Sequence, residues 1–371
     1  MKAPAPSRLL ARLDAALAKA RRPVDVACLR AERAGFLARL GHFDEARAVI
    51  SSVHAQFDPH SHPAVSAWLC LAEGWMLHFG SLSGGARDRI RRAQALSGAA
   101  GLTQLQALSS AWLAHLDYCD DEVEDMIRQL LLAFKLAAPD NHGARARASL
   151  VVGLAYHYVR RLDRAQPWYA RAREHATTEG DETTLSALNY NLTSMRAHHA
   201  IEAAVFGGAD AQEEARHAMA SSQSTGNFDE WIGTQALDAL VPMQRAAIAS
   251  VQGQYGEALS LYERHLDDAQ KQGMARLNGV YLADMAWCRW HQGDSSGSQH
   301  DAQACAASID PAMHVDDQAM AHGRLGMVFK LLGDEEAALR HAGRGRELWN
   351  QHQQLRAKLL QQLEAAQLRP H

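Results

Sequence analysis

The stretch Ser149–Ala176, SLVVGLAYHYVRRLDRAQPWYARAREHA, decides the fold. It reads as two helices joined by a tight turn. Gly153, Ala165 and Ala172 stand where two helices must approach closely, and Leu154, Tyr156, Leu162 and Tyr169 are expected to fill the space between them. Arg160-Arg161-Leu162-Asp163-Arg164-Ala165 supplies the turn. Its plan is a helix stop, then an apolar plug, then a small residue that seats the second helix.

The same turn recurs along the chain. Gly41-His-Phe43-Asp-Glu-Ala46 is the cleanest copy, and Gly253-Gln-Tyr255-Gly-Glu-Ala258 matches it. Gly333-Asp-Glu-Glu-Ala-Ala338 and Gly293-Asp-Ser-Ser-Gly-Ser298 are looser copies, and Gly80, Cys119 and Phe206-Gly207-Gly208 occupy the remaining places. Markers at 41, 80, 119, 160, 207, 253, 293 and 333 lie 39 to 47 residues apart. So even a spacing is the mark of a repeat architecture. Helix stop and start signals fall between the markers, at Asp58-Pro59, Ala100-Gly101, Pro139-Asp140, Gly180-Asp181, Gly226-Asn227, Gly273 and Asp310-Pro311.

These signals predict an N-terminal helix from Ser7 to Arg21, with Ser7 as its cap. Eight hairpins follow. Their first helices are expected near 24–40, 63–79, 103–118, 142–159, 182–204, 228–252, 276–292 and 315–332. Their second helices are expected near 44–56, 84–98, 122–137, 163–179, 208–224, 256–272, 296–308 and 335–349. Pro242 should kink the sixth first helix. A polar helix from Gln351 to Gln367 closes the array, as the end units of a solenoid require. The expected division is residues 1–23 as an N-terminal capping helix, 24–349 as the repeat array, and 350–371 as a C-terminal capping helix and tail.

Composition agrees with an all-α chain. Hydrophobic residues make up 47% and charged residues 22% of 371, and alanine and leucine outnumber β-branched residues. A formal charge of -4 excludes nucleic-acid binding by bulk charge. Charge is nevertheless uneven, with ten Lys/Arg against five Asp/Glu in residues 1–50 and six against thirteen in 201–300. Five dispersed cysteines with no Cys-x-x-Cys pair exclude a disulfide framework or a structural zinc site. The start MKAPAPSRLL lacks a signal peptide's apolar core, and no run of 18 apolar residues occurs, so a cytoplasmic protein without membrane contact is expected.

The chain resembles the tetratricopeptide-repeat family. Leu325-Gly326 with Phe329, Ala338 and Ala342, and Val152-Gly153 with Tyr156, Ala165, Tyr169 and Ala172, follow that family's pattern. Ser149 and His322 replace the opening aromatic, and the period is about 42 rather than the usual 34. The longer period resembles the arms of bacterial signalling regulators of the maltose-activator type. The resemblance implies an all-α, right-handed α-α superhelix (solenoid) of about eight helical hairpins with N- and C-terminal capping helices. It also implies a concave face, lined by first helices, that binds a partner.

No phosphate loop, dinucleotide fingerprint, His-Glu-x-x-His or Gly-x-Ser-x-Gly is present, so no catalytic residues and no cofactor are expected. The chain also lacks a helix-turn-helix and a kinase or cyclase signature, which assigns any output to another chain. Candidate partner-binding residues on first helices are His157, Tyr158, Asn191, Arg196, Trp287 and His291, with Trp112, His115 and Trp290 beside them. Aromatic and Arg side chains are typical anchors, and a polar side chain on an apolar inner helix needs a partner. Trp287 and Trp290, three apart, also fit a core face.

His54, Asp58, His60 and His62 crowd one loop, and His198-His199 form a pair; without regular ligand spacing both read as solvated groups, with no metal, and the alternative is a surface zinc or nickel site, because imidazole suits those ions. The acidic run Asp120, Asp121, Glu122, Glu124 and Asp125 reads as a helix start favoured by the helix dipole. Arg87, Arg89, Arg91 and Arg92 read as partners for acidic neighbours. The expected function is a non-catalytic scaffold or adaptor holding a protein or peptide in its groove. The alternative is a sensor of a small molecule or signalling peptide.

Overall fold

The computed structural model describes residues 7–57, 62–208, 211–311 and 313–370. Among them are 17 α-helices and no strand. A single helix, α1 (Arg8–Lys19), opens the chain, and Ser7 caps it by accepting from the Leu10 N–H at 3.3 Å. Consecutive pairs follow: α2 (Pro23–Leu40) with α3 (Phe43–Phe57), α4 (Pro63–Ser81) with α5 (Gly85–Ala99), α6 (Thr103–Cys119) with α7 (Val123–Leu136), and α8 (His142–Tyr158) with α9 (Leu162–Glu179). Then come α10 (Glu182–Phe206), α11 (Ala211–Ile232), α12 (Leu240–Val251), α13 (Tyr255–Lys271), α14 (Asn278–His291), α15 (Ser295–Ser308), α16 (Val315–Leu332) and α17 (Glu335–Ala365). The arrangement is that of an all-α array of helical hairpins. No helix among the described residues is long and apolar enough to cross a membrane.

Each of the eight hairpins turns on one residue with positive φ: Gly41, Leu82, Asp121, Arg160, Gly207, Gly253, Gly293 and Gly333. A left-handed residue after a helix lets the next amide reach back to an orphan carbonyl. Thus Arg161 N–H donates to the Tyr156 carbonyl at 2.9 Å and Asp334 N–H to that of Phe329 at 3.0 Å. In the second and third hairpins the turn sits at Leu82 and Asp121, two residues beyond the expected Gly80 and Cys119, which remain inside their helices. Gly80 lies within α4 because a glycine alone does not stop a helix; it costs only about 1 kcal/mol there.

Small residues bring paired helices together. Ala46, Ala86, Ala165, Ala215, Ala258 and Ser298 are fully buried near the start of their second helices. A Cβ on Gly326 would lie 2.8 Å from the Ala342 backbone nitrogen, and one on Gly153 would lie 2.8 Å from the Tyr169 ring. The expected packing of Leu154, Tyr156 and Tyr169 is present, whereas Leu162 is 40% exposed. As the first residue of α9, Leu162 projects from the hairpin's end instead of plugging it.

Three helix boundaries depart from expectation. α11 runs through Gly226-Asn227 without a break, and the chain is interrupted instead at residues 233–239. Pro242 therefore falls in the first turn of α12, where a missing N–H costs nothing, and it makes no kink. The expected last hairpin helix and the C-terminal capping helix are one continuous helix, α17, because nothing near Asn350 stops it.

The chain divides into two compact units. Unit 1 comprises Met1–Asn189, Asn227–Leu237 and Leu359–His371; unit 2 comprises Tyr190–Gly226 and Asp238–Lys358. Distant segments of unit 1 are tied to it directly. Gln235 N–H donates to the Leu40 carbonyl at 2.8 Å, and Gln362 donates to Glu124 at 2.9 Å.

Two substitutions test this packing by urea denaturation. Arg160→Gly relieves a left-handed non-glycine at an exposed turn and should stabilise the protein by about 1 kcal/mol. Gly326→Ala forces the Ala342 backbone aside and should cost about 1–3 kcal/mol.

Candidate functional site

The first helices of unit 2 bury several polar side chains, among them Gln244, Ser250, Asp284, Gln318 and Arg324. A cavity of about 190 Å³ lies among α10, α12, α14 and α16, with Tyr262 of α13 at its edge. Ala197, Ile201, Leu240, Met243, Ala247 and Val280 form its apolar wall. Tyr190, Ser194, His198, Gln244, Tyr281, Asp284, Asp317 and Arg324 supply its polar groups.

Asp284 is the hub. It accepts from Ser250 Oγ at 2.9 Å and Tyr262 OH at 2.9 Å, and Arg324 Nη2 stands 3.1 Å away. One carboxylate thereby links α12, α13, α14 and α16. Burial and the adjacent Asp284 hold the Tyr262 phenol well above its ordinary range, so it serves as a hydrogen-bond donor rather than a base. Burial pushes Tyr190 up to about 12 and raises Tyr281 as well. Burial, then the neighbouring Asp316, push Asp317 up to about 6, against the pull of Arg276 at 3.0 Å. Cys288 is buried beside Asp284 and is driven up, away from the reactive thiolate.

Gln244 differs from these groups. Its side chain is 8% exposed, and neither its amide oxygen nor its amide nitrogen has a hydrogen-bond partner among the described residues. A buried amide left unmatched costs about 1–3 kcal/mol. Gln244 is among the residues lining the cavity, and its amide carries both a donor and an acceptor, the complement of a peptide bond.

The six residues expected to bind a partner lie elsewhere. His157 is buried in unit 1 and its Nδ1 is 3.1 Å from the Tyr169 hydroxyl; Tyr158, next to it, is half-buried. In unit 2, Arg196 donates to Ser221 Oγ at 3.2 Å, and Asn191 is half-buried on the same helix. Trp287 lies beneath the Arg324 guanidinium, 4.9 Å away, and touches His291 edge-on; His291 in turn stacks on Tyr255 at 4.4 Å. None of the six lines the cavity. Gln244, Asp284 and Arg324 do, and the criterion that selected Asn191 and Arg196 (a polar side chain on an apolar first helix) also finds them.

The other polar groups resolve into structure. His54 Nε2 is 2.8 Å from Glu73, and His62 caps α4 by accepting from Ala64 N–H; Asp58 and His60 lie outside the described residues. The pair read as solvated, His198-His199, is drawn inward: His199 is buried, and His198 faces Glu202 at 3.0 Å. Arg87 pairs with Asp117 and Asp120. Glu124 and Asp125 occupy the first turn of α7.

Unit 1 has its own buried polar set on first helices. Trp75 and His78 of α4 and Trp112 and His115 of α6 pack ring against ring. Arg147 of α8 lies 3.9 Å above the Trp112 ring, and Arg39 of α2 is 5.6 Å from it. Arg39 is held by Asp181 at 2.8 Å and by Thr184. Burial opposes the charge on Asp181, but Arg39 and the two threonines outweigh it and keep its pKa low. Burial, then Arg39, push Arg147 down to about 9. Burial, then Arg147, push His78 down to about 4, and His115 falls well below its usual value for the same reasons. A wider depression of about 710 Å³ opens over the N-terminal ends of α2, α4 and α6, where Arg22 and Asp25 satisfy each other at 2.7 Å.

Comparison with known proteins agrees with the fold. No protein-family model matches the chain, and no curated protein matches it. Among solved structures it is similar to a Rap protein complexed with Competence and Sporulation Factor, at 12% identity and a TM-score of 0.52, over 95% of this chain and 92% of that one. At that identity the likeness concerns the fold. The all-helical arrangement also fits tetratricopeptide-like repeats.

His78 and His115 set a pH dependence. Their folded pKa lies below the unfolded value of 6.5, so the unfolded chain binds more protons as pH falls. The His78 contribution is complete above pH 6.5 and is lost toward pH 4. Urea denaturation should show His78 alone costing about 2 kcal/mol between pH 7 and pH 5. His78→Leu should flatten that slope; equal slopes in parent and variant would contradict the assignment.

Proposed function

We propose that the protein is a non-catalytic helical-repeat receptor that takes a peptide, or an extended segment of a partner protein, on the first helices of unit 2, and so serves as a scaffold or adaptor in signalling or regulation. The observation that carries this reading is the unmatched amide of Gln244 beside an apolar wall. A cavity of about 190 Å³ is smaller than the roughly 300–1,000 Å³ pockets that enclose drug-sized ligands. It suits an anchor side chain and its backbone amide better than a whole metabolite. The aromatic residues Tyr190 and Tyr281 supply rigid contact area with polar tips. The fixed Asp284–Arg324 pair keeps the wall from collapsing.

The bound factor in the similar Rap structure supports a ligand-binding role. A kinship with the arms of maltose-type activators belongs to the same reading. It rests on the repeat period of about 42 residues. Asn191, Arg196, Trp287 and His291 are proposed to extend the surface beyond the cavity, and His157 and Tyr158 to act in unit 1. A sensor that responds to a signalling peptide uses the same cavity. In that case binding there alters how neighbouring hairpins pack, and the output passes to another chain.

The test separates binding from folding. Gln244→Leu removes a desolvated amide and should leave the protein as stable as the parent or about 1 kcal/mol more stable. Partners captured by the intact protein should be retained at least tenfold less by this variant. Asn191→Ala/Arg196→Ala should reduce capture by a smaller factor. Full retention by Gln244→Leu would remove the cavity from the proposal.

A further inference from the structure

We infer that His198, Glu202 and His352 form a binding site for a divalent transition-metal ion of the zinc type, beside the unit 2 cavity that His198 lines. His198 and Glu202 are four residues apart on α10, so their side chains share one face a turn apart. α17 brings His352 to the same point. His198 Nε2 is 3.0 Å from Glu202 Oε1, His352 Nε2 is 3.4 Å from that oxygen, and one ligand atom from each residue lies within 4.8 Å of the other two. Zinc bonds to imidazole and carboxylate are about 2.0–2.1 Å, which makes the edge of a tetrahedral site about 3.3 Å. The three donors are therefore spaced to share an ion. Two imidazoles and one carboxylate without thiolate suit zinc, cobalt or nickel better than calcium or magnesium.

The surroundings fit an outer shell. Arg356 Nη1 is 3.1 Å from Glu202 Oε1 and 3.4 Å from Oε2, so it can hold the second oxygen when the first ligates an ion. Asp316 Oδ2, from the first turn of α16, is 3.7 Å from His198 Nε2 and within reach of a fourth position. Two carboxylates, Glu202 and Asp316, face His198 in a largely buried site, and anionic oxygens placed there favour a cation. His198 also lines the cavity, so the ion would have access to a donor group on a bound ligand.

The test uses the full chain, freed of metal by a chelator and titrated with Co2+, whose visible absorption reports four-coordinate binding. One ion per chain is expected, displaced by Zn2+, and His198→Ala and His352→Ala should each weaken uptake at least tenfold. Glu202→Gln would strip Arg356 of its carboxylate and risk the fold, so the histidine variants carry the test, each checked for native helicity by circular dichroism. No uptake by the intact protein would overturn the site. Uptake unchanged in both folded histidine variants would assign the ion to others among the 20 histidines and would overturn it equally. Either result leaves the reading of Gln244 as a partner contact standing, because that variant is scored by partner capture.

Discussion

Close approach of paired helices is the constraint on which this structure depends. Two helices can approach closely only where side chains are small. The chain meets that demand at nearly every hairpin by placing a buried alanine or serine just inside the second helix, from Ala46 through Ala165 to Ser298. Met126 occupies the place in the third hairpin and is also fully buried. Gly326 against Ala342 shows how little slack remains. With backbones this near, apolar residues on the first helices meet both their own partner and the next first helix, as α2 does with α3 and α4. The cores are accordingly local clusters, such as that around Trp75, Leu71 and Trp112, or that around Leu325, Ala302 and Cys305.

Against that background, the polar residues on first helices stand out. Burying a charge is costly unless it is paired and hydrogen-bonded. Asp284 and Asp181 are each saturated by hydroxyls and an arginine, and each fixes several helices at once. Glu202 does likewise with two histidines and Arg356. Apolar residues would give equal or greater stability at such places. The charged groups lie on or beside the first helices of both units. Gln244 is the clearest instance, since its amide adds cost to the fold without any return from within it.

The sequence was most informative where local chemistry acts alone. Arg160 and Gly333 mark turns because helix termination needs a left-handed residue near that point, and Ser7 caps α1 through contacts three residues away. It misled where a local signal was overridden. Gly226-Asn227 carries a stop signal, yet α11 continues through it. Pro242 reads as a kink until the helix start is known to lie at Leu240. For the site, polarity on an apolar helix selected Asn191 and Arg196, and Arg196 proves to be bonded to Ser221 of its own hairpin. Which polar residues converge depends on the rotation of each helix, and a one-residue change turns a side chain by about 100°.

By itself the sequence determined an all-α chain of eight hairpins, their order and nearly all of their turns. Periodicity, caps and small-residue spacing are properties of contiguous residues, and each acts within one or two helical turns. Only the tertiary structure decided which groups meet. Gln244 and Tyr281 line one cavity, and His352 reaches His198 across 154 positions of sequence, because packing sets how each first helix is rotated against the next. That rotation is fixed by the sum of many weak contacts between segments distant in sequence, and no single stretch of residues encodes it.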